Sequence, residues 1–187
     1  VNKNISKKQQ GKVVYFGRIS REKNVAALIR AFEHHDLEHF NLVVIGTGPA
    51  EKELEELINR SRAKKQIQFI NRFVSVKELY PLIADAQFFV LPSSWYENSP
   101  VSIIESLNLG IIPIVSNHGG MKELLDITGI GYGIIPEDPD TIAHALLMAR
   151  TSYDNNICTF FETIEEKLSL FTWRKYFEEL VAFYKEV

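Results

Sequence analysis

The sequence contains a single cysteine, Cys158, among 187 residues. One thiol cannot close an internal disulfide, and Cys158 has none of the spaced partners that a zinc site needs. A reducing compartment, the cytoplasm, is the expected location. Long apolar runs are also missing, and none approaches the ~20 residues that span a bilayer. Neither charge is in excess: 21 Lys and Arg stand against 24 Asp and Glu, for a net charge of −3. Such a balance gives no field that would draw in nucleic acid. The basic cluster Arg60, Arg62, Lys64 and Lys65 falls at the end of a helical pattern, where cations complement the dipole. The first ten residues are partly basic, but no apolar stretch follows them, which rules out a signal peptide. With no initiator Met, residues 1–11 read as the end of a linker from a missing N-terminal domain, and 12–187 as the domain itself.

What is present is an ordinary globular balance, 45% apolar and 24% charged, over a length that suits one domain. Val13–Phe16, Leu42–Ile45, Ile67–Ile70, Phe88–Leu91, Ile111–Val115 and Tyr132–Ile135 read as buried strands. Between them, Val25, Leu28, Ile29 and Phe32, and later Leu54, Leu57 and Ile58, recur at helical spacing. Asn24 is the expected N-cap of the first helix, and Ser75 with Glu78 has capping-box spacing for a helix reaching about Ala84. Ser99-Pro100 and Asp138-Pro139 each set a capping side chain before a proline at the first helical position. Two further helices are expected after the one that Asp138 opens. Apolar strands alternating with amphipathic helices predict a parallel sheet covered on both faces. Right-handed crossovers make it a doubly wound, Rossmann-like α/β fold of about six strands. Ligands bind beyond the carboxyl ends of such strands, so the loops that follow them are where chemistry is sought.

Four such loops hold unusual residues. After the first strand, Gly17-Arg18 and Lys23 put two cations near a helix start, which suits a diphosphate or simply marks two solvated cations. After the second, Gly46-Thr47-Gly48-Pro49 looks like a dinucleotide fingerprint, but Glu51 stands where the third glycine belongs. Its glycines serve either a tight turn or the approach of a ligand. After the fourth, Glu97 precedes a helix and Glu105 lies eight positions on, beside Ser102 and Asn98. Glu105 suits the two hydroxyls of a ribose, Glu97 the hydroxyls of a sugar, and the helix start between them a phosphate. The plainer alternative is a dipole-complementing Glu97 and a solvated Glu105. After the fifth, Gly119-Gly120 marks a turn or a close ligand approach.

Together, and in order over residues 12–187, these loops resemble the C-terminal domain of group 1 (family 4) glycosyltransferases, which have the GT-B fold. The stretch Leu91 to Pro100 is similar to bacterial members that build surface polysaccharides. The resemblance implies retaining transfer of a sugar from a nucleoside diphosphate sugar, UDP- or GDP-linked, to an acceptor hydroxyl, with no cofactor and no metal. It implies that Arg18, Lys23 and Glu97 act at the reacting groups. Gly17, Gly46, Gly48, Phe69, Ile70, Asn98, Ser99, Pro100, Val101, Glu105, Gly119 and Gly120 would line the donor site. Asn71 stands where relatives often have glycine in the turn that touches the base. Asp138-Pro139-Asp140 spells a metal-binding D-x-D, but capping explains it fully. The resemblance implies that the acceptor, a glycan or lipid-linked glycan, is held by the missing N-terminal domain, with peripheral association at the inner face of the membrane, where relatives work on lipid-linked acceptors. Trp173, Phe177 and Tyr184 in the last helix are either core or apolar surface that braces the neighbouring domain. The alternatives are another GT-B enzyme, such as a sugar-nucleotide epimerase, or a noncatalytic α/β binding module.

Overall fold

The computed structural model describes residues 8–98 and 100–186. Its strands are β1 (Lys12–Phe16), β2 (Asn41–Ile45), β3 (Ile67–Ile70), β4 (Phe88–Leu91), β5 (Ile112–Ser116) and β6 (Tyr132–Ile134). They form one parallel sheet in the order β3-β2-β1-β4-β5-β6. The helices are α1 (Val25–Ala31), α2 (Glu51–Arg60), α3 (Val76–Ile83), α4 (Val101–Asn108), α5 (Gly119–Thr128), α6 (Pro139–Leu168) and α7 (Trp173–Glu186). The chain builds outward from β1 to β3, then returns to β4 and builds the other way. With right-handed crossovers, that reversal covers both faces of the sheet and leaves a crevice between β1 and β4.

Burial explains the apolar runs. Every residue of β4 and β5 is buried, and β1 is buried from Val13 to Phe16, whereas the edge strand β3 is only half-buried. Phe89 is fully buried in β4, and its ring centroid lies 4.7 Å from that of Phe16 in β1. Pro113 is accommodated inside β5 because Ile112 N–H faces β4, bonding Gln87 O at 2.9 Å. The next nitrogen therefore faces β6, whose pairing begins only at Ile114 with Tyr132.

The expected caps hold in part. Asp138 accepts from Asp140 N–H at 3.0 Å, and the Glu78 carboxylate accepts from Ser75 N–H at 3.1 Å. Asn24 stands at the N-cap of α1 but does not cap it with its side chain. It adopts a left-handed conformation, φ 50°, and its amide donates to Pro136 O at 2.5 Å. Pro100 is the N-cap residue of α4 rather than its first helical residue. Ser99, the expected capping serine, lies outside the described residues, as do residues 1–7 and the side chains of Cys158 and Trp173. The helix opened by Asp138 does not stop early: it runs 30 residues, so one further α-helix follows it rather than two. Phe177 and Tyr184 are exposed on that last helix. Residues 8–11 are docked on the body of the domain, with Lys8 Nζ donating to Ala84 O at 2.8 Å and Gly11 N–H to Gln87 Oε1 at 2.6 Å. Among the described residues no helix is long and apolar enough to cross a membrane.

Phe89 is packed on the strand that carries the most informative loop. Phe89→Ala is expected to cost about 3–5 kcal/mol, read as a lower urea midpoint with an unchanged slope.

Candidate functional site

At the crevice between β1 and β4, the loop after β1 and the loop after β4 are bonded to each other. Glu22 carbonyl accepts Ser94 N–H at 2.8 Å and lies 3.3 Å from Ser93 Oγ. Glu22 is itself fixed, because Ser20 Oγ donates to its carboxylate at 2.6 Å and holds that carboxyl below its ordinary range. This seam brings Lys23 against Glu97, with Nζ and Oε1 2.5 Å apart. Ser93 Oγ lies 2.9 Å from the same Glu97 oxygen. The ion pair is mostly shielded, with the two side chains 23% and 20% exposed. Beneath it, the fully buried Tyr15 donates its phenol to Arg18 O at 2.7 Å. Burial first, then the Glu97 and Glu22 carboxylates, push the Tyr15 phenol above its ordinary value.

The glycines of these loops permit backbone contact. A side chain on Gly46 (φ 147°) would put Cβ 1.8 Å from Gly17 O, and one on Gly48 would lie 2.2 Å from Ile19 O. Both glycines therefore pack the second loop onto the first, through Gly17 N–H to Ile45 O and Ile19 N–H to Thr47 O, each 3.0 Å. Glu51 explains why no dinucleotide fingerprint is completed here. Its carboxylate accepts from Thr47 Oγ1 and from Gly48 N–H, filling the start of α2 where a pyrophosphate would otherwise sit. The Thr47 hydroxyl, followed by the Gly48 amide, holds the Glu51 carboxyl below its ordinary range. At the fifth strand, Gly120 N–H donates to Glu97 O at 2.7 Å, and a Cβ on Gly120 would lie 1.9 Å from Asn98 O. Gly119 takes a positive φ of 57° beside the Tyr96 ring.

Arg18 is exposed and lines a cleft of about 360 Å3 with Gly17, Gly46, Thr47, Arg72 and Phe73. Phe69 and Ile70 are half-buried strand residues packed against the core; the wall of that cleft is formed further on, by Arg72, Phe73 and Val74. Asn98 and Val101 are exposed at the mouth of α4. Glu105 is partly buried about one turn along that helix, and burial raises its carboxyl above the usual carboxylate range. The geometry thus unites Lys23, Glu97 and Gly120, and sets Arg18, Gly17 and Gly46 in the adjoining cleft.

Sequence reasoning missed Ser93, Tyr15 and Phe73. A serine in a loop and an aromatic inside an apolar strand carry no signal of their own, and Phe73, 81% exposed, follows the strand by three residues. It also missed how Trp95 and Tyr96 stand out, 68% and 79% exposed, with Tyr96 against His118 at 5.0 Å between ring centroids. Elsewhere His34, His35 and Asp36 cluster on the α1–β2 connection, at the opposite end of the strands. Asp138 and Asp140 do form a cap, as the bond between them shows.

Residues 1–153 match the family described as "Glycosyl transferases group 1". An uncharacterized glycosyltransferase of Methanocaldococcus jannaschii is 30% identical over 135 residues, 70% of this chain and 33% of that protein. Sucrose synthase 2 of Arabidopsis thaliana is 25% identical over 207 residues, 95% of this chain and 26% of that protein. The chain therefore spans about a third or less of these curated relatives. Among solved structures, Anabaena HepE in complex with UDP superposes with a TM-score of 0.79 at 16% identity, over 95% of this chain and 49% of that one.

The contact at Gly120 is backbone against backbone, with no flexible side chain to yield. Gly120→Ala is expected to cost about 2 kcal/mol or more. Gly129→Ala, at φ 67° with nothing within 4 Å of its Cβ, should cost only the left-handed strain of about 1 kcal/mol. Urea unfolding of the two variants checks the difference.

Proposed function

The chain belongs to the group 1 glycosyltransferases, and from that premise we propose that it is the donor-binding half of a retaining enzyme, one that moves a sugar from a nucleoside diphosphate sugar to an acceptor hydroxyl. The observation that carries this reading is the shielded Lys23–Glu97 pair at the β1/β4 crevice, between the α4 N-terminus and the Arg18 cleft. In the reaction the bond from the sugar's anomeric carbon to the diphosphate breaks, the acceptor oxygen bonds to that carbon, and the acceptor's proton passes to the leaving phosphate oxygen. Negative charge grows on the leaving phosphate oxygen. Lys23, held by Glu97, is a pre-organised cation suited to it, and Arg18, exposed in the cleft, is a second. The α4 N-terminus adds backbone N–H groups. Glu97 takes hydroxyls of the donor sugar and Glu105 those of the ribose. Gly17, Gly46, Gly48, Gly119, Gly120, Asn98, Ser99, Pro100 and Val101 shape the floor and walls, with the base lying toward Phe69 and Ile70.

UDP is the favoured nucleotide, because the HepE structure of similar fold holds UDP. The donor is a substrate, and the reading calls for neither cofactor nor metal. The acceptor is a glycan or lipid-linked glycan bound across the cleft by a second domain. The Leu91–Pro100 stretch supports a role in bacterial surface polysaccharide synthesis, in the cytoplasm at the inner face of the membrane.

Titration with UDP, GDP and ADP, followed by the thermal midpoint, tests the reading. A ligand at a hundred times its Kd adds about 2.7 kcal/mol of stability. Stabilisation by UDP, lost in Arg18→Ala, is the expected result; no response to any of the three, in this chain and in the full-length protein, would sink the proposal. Glu105→Gln is expected to weaken UDP binding about tenfold, the worth of a hydrogen bond to a charged acceptor.

The pH dependence follows from the raised Glu105 carboxyl. Ribose hydroxyls need the ionised acceptor, so UDP affinity should fall as pH drops through that raised value, earlier than for an ordinary glutamate. Glu105→Gln should remove this part of the fall and leave only the part due to the phosphate. Isothermal titration at several pH values compares the two proteins.

A further inference from the structure

Ser93 is wholly buried, yet it carries a hydroxyl. A buried hydroxyl without partners costs free energy, so its contacts show what it is for. Its Oγ lies 2.9 Å from Glu97 Oε1, 3.3 Å from Glu22 O and 3.3 Å from Trp95 O. A hydroxyl has one proton to give, and the charged carboxylate at the shortest distance is its best acceptor. We propose that Ser93 is a positioning residue of the donor site: its hydroxyl fixes the Glu97 carboxylate so that one oxygen clamps Lys23 and the other faces a hydroxyl of the donor sugar. This rests on the donor-site reading above.

The geometry favours this role over simple loop packing. Glu97 Oε1 receives both Ser93 Oγ–H and Lys23 Nζ, at 2.9 and 2.5 Å. Two donors on one oxygen fix the plane of the carboxylate and leave Oε2 for another donor. The backbone on either side is already held without the hydroxyl, by Ser94 N–H to Glu22 O at 2.8 Å and Gly120 N–H to Glu97 O at 2.7 Å. Removing the hydroxyl should therefore release the carboxylate rather than the loop.

The test is a cycle on this chain with Ser93→Ala, Glu97→Ala and the double variant, read in two ways. Urea midpoints without ligand are expected to be non-additive, with Ser93→Ala having little further effect once Glu97 is Ala. Additive midpoints would overturn the positioning role whatever the ligands do. In titrations, Ser93→Ala is expected to lower the preference for UDP-glucose over UDP about tenfold, with UDP affinity within about threefold of the wild type. Equal losses for both ligands would mean general damage and overturn the proposal; so would a wild type that binds UDP-glucose no better than UDP. A wild type that binds no UDP at all defeats the donor-site reading and the sugar-facing role, while the midpoints still decide whether Ser93 acts through Glu97. Ser93→Cys keeps most of the shape but not the strong donor, and should follow Ser93→Ala in the titrations.

Discussion

The site depends on one shared acceptor, the carbonyl of Glu22. It takes the backbone N–H of Ser94 at 2.8 Å, with Ser93 Oγ 3.3 Å away, and so ties the loop after β1 to the loop after β4. These strands are neighbours in the sheet but 71 positions apart at the contact. Nothing in a parallel pairing fixes how the loops beyond the strand ends run, because the ladder stops at the last paired residues. Without the seam, Lys23 and Glu97 would extend from two independent loops, and each long side chain would lose entropy to meet the other. With it, the pair is held by its backbones and shielded from water, where a charge pair is less screened.

The second constraint is the want of room for a Cβ. Gly46 and Gly48 let the β2 loop lie on the β1 loop, and Gly120 lets α5 begin against Asn98. These are contacts between backbones, so they set the loops at fixed separations. Close packing and ligand approach, which the sequence leaves as rival explanations for paired glycines, are not symmetric here. Packing is what the glycines do in this structure; a ligand would meet the surface that the packing makes. Glu51 adds a negative element to the same surface, since its carboxylate on the α2 start repels the pyrophosphate of a dinucleotide.

The placement of strands and helices is legible because buried parallel strands must be continuous apolar runs, and Val13–Phe16 and Phe88–Leu91 are such runs. The ends of elements are less so. Asn24 has the residue type of a cap, but a tertiary acceptor, Pro136 O, takes its amide. Nothing local stops α6 before Leu168, where tertiary packing against α1, α4 and the β5–β6 edge supports it. Of the site, the charged residues could be read because a family pattern names them. Ser93 and Tyr15 could not, because their roles come from partners distant in sequence: Glu22 lies 71 positions from Ser93, and the Tyr15 phenol is influenced by Glu97.

A diphosphate would enter a site whose lysine is already paired. An ammonium has three donors, and Lys23 spends one on Glu97. A diphosphate can take the others without breaking the pair, so the pair costs little affinity while it holds the ammonium in place. The carboxylate does repel the incoming phosphate, but Arg18, exposed in the adjoining cleft and with a guanidinium suited to gripping two oxygens, offsets that repulsion. On the proposed donor-site reading, the arrangement would favour a ligand that brings both a diphosphate and a hydroxyl-rich group to Glu97 over one that brings the diphosphate only. Selection for the whole nucleotide sugar would thus come from a charge balance set before the ligand arrives, rather than from closure around it.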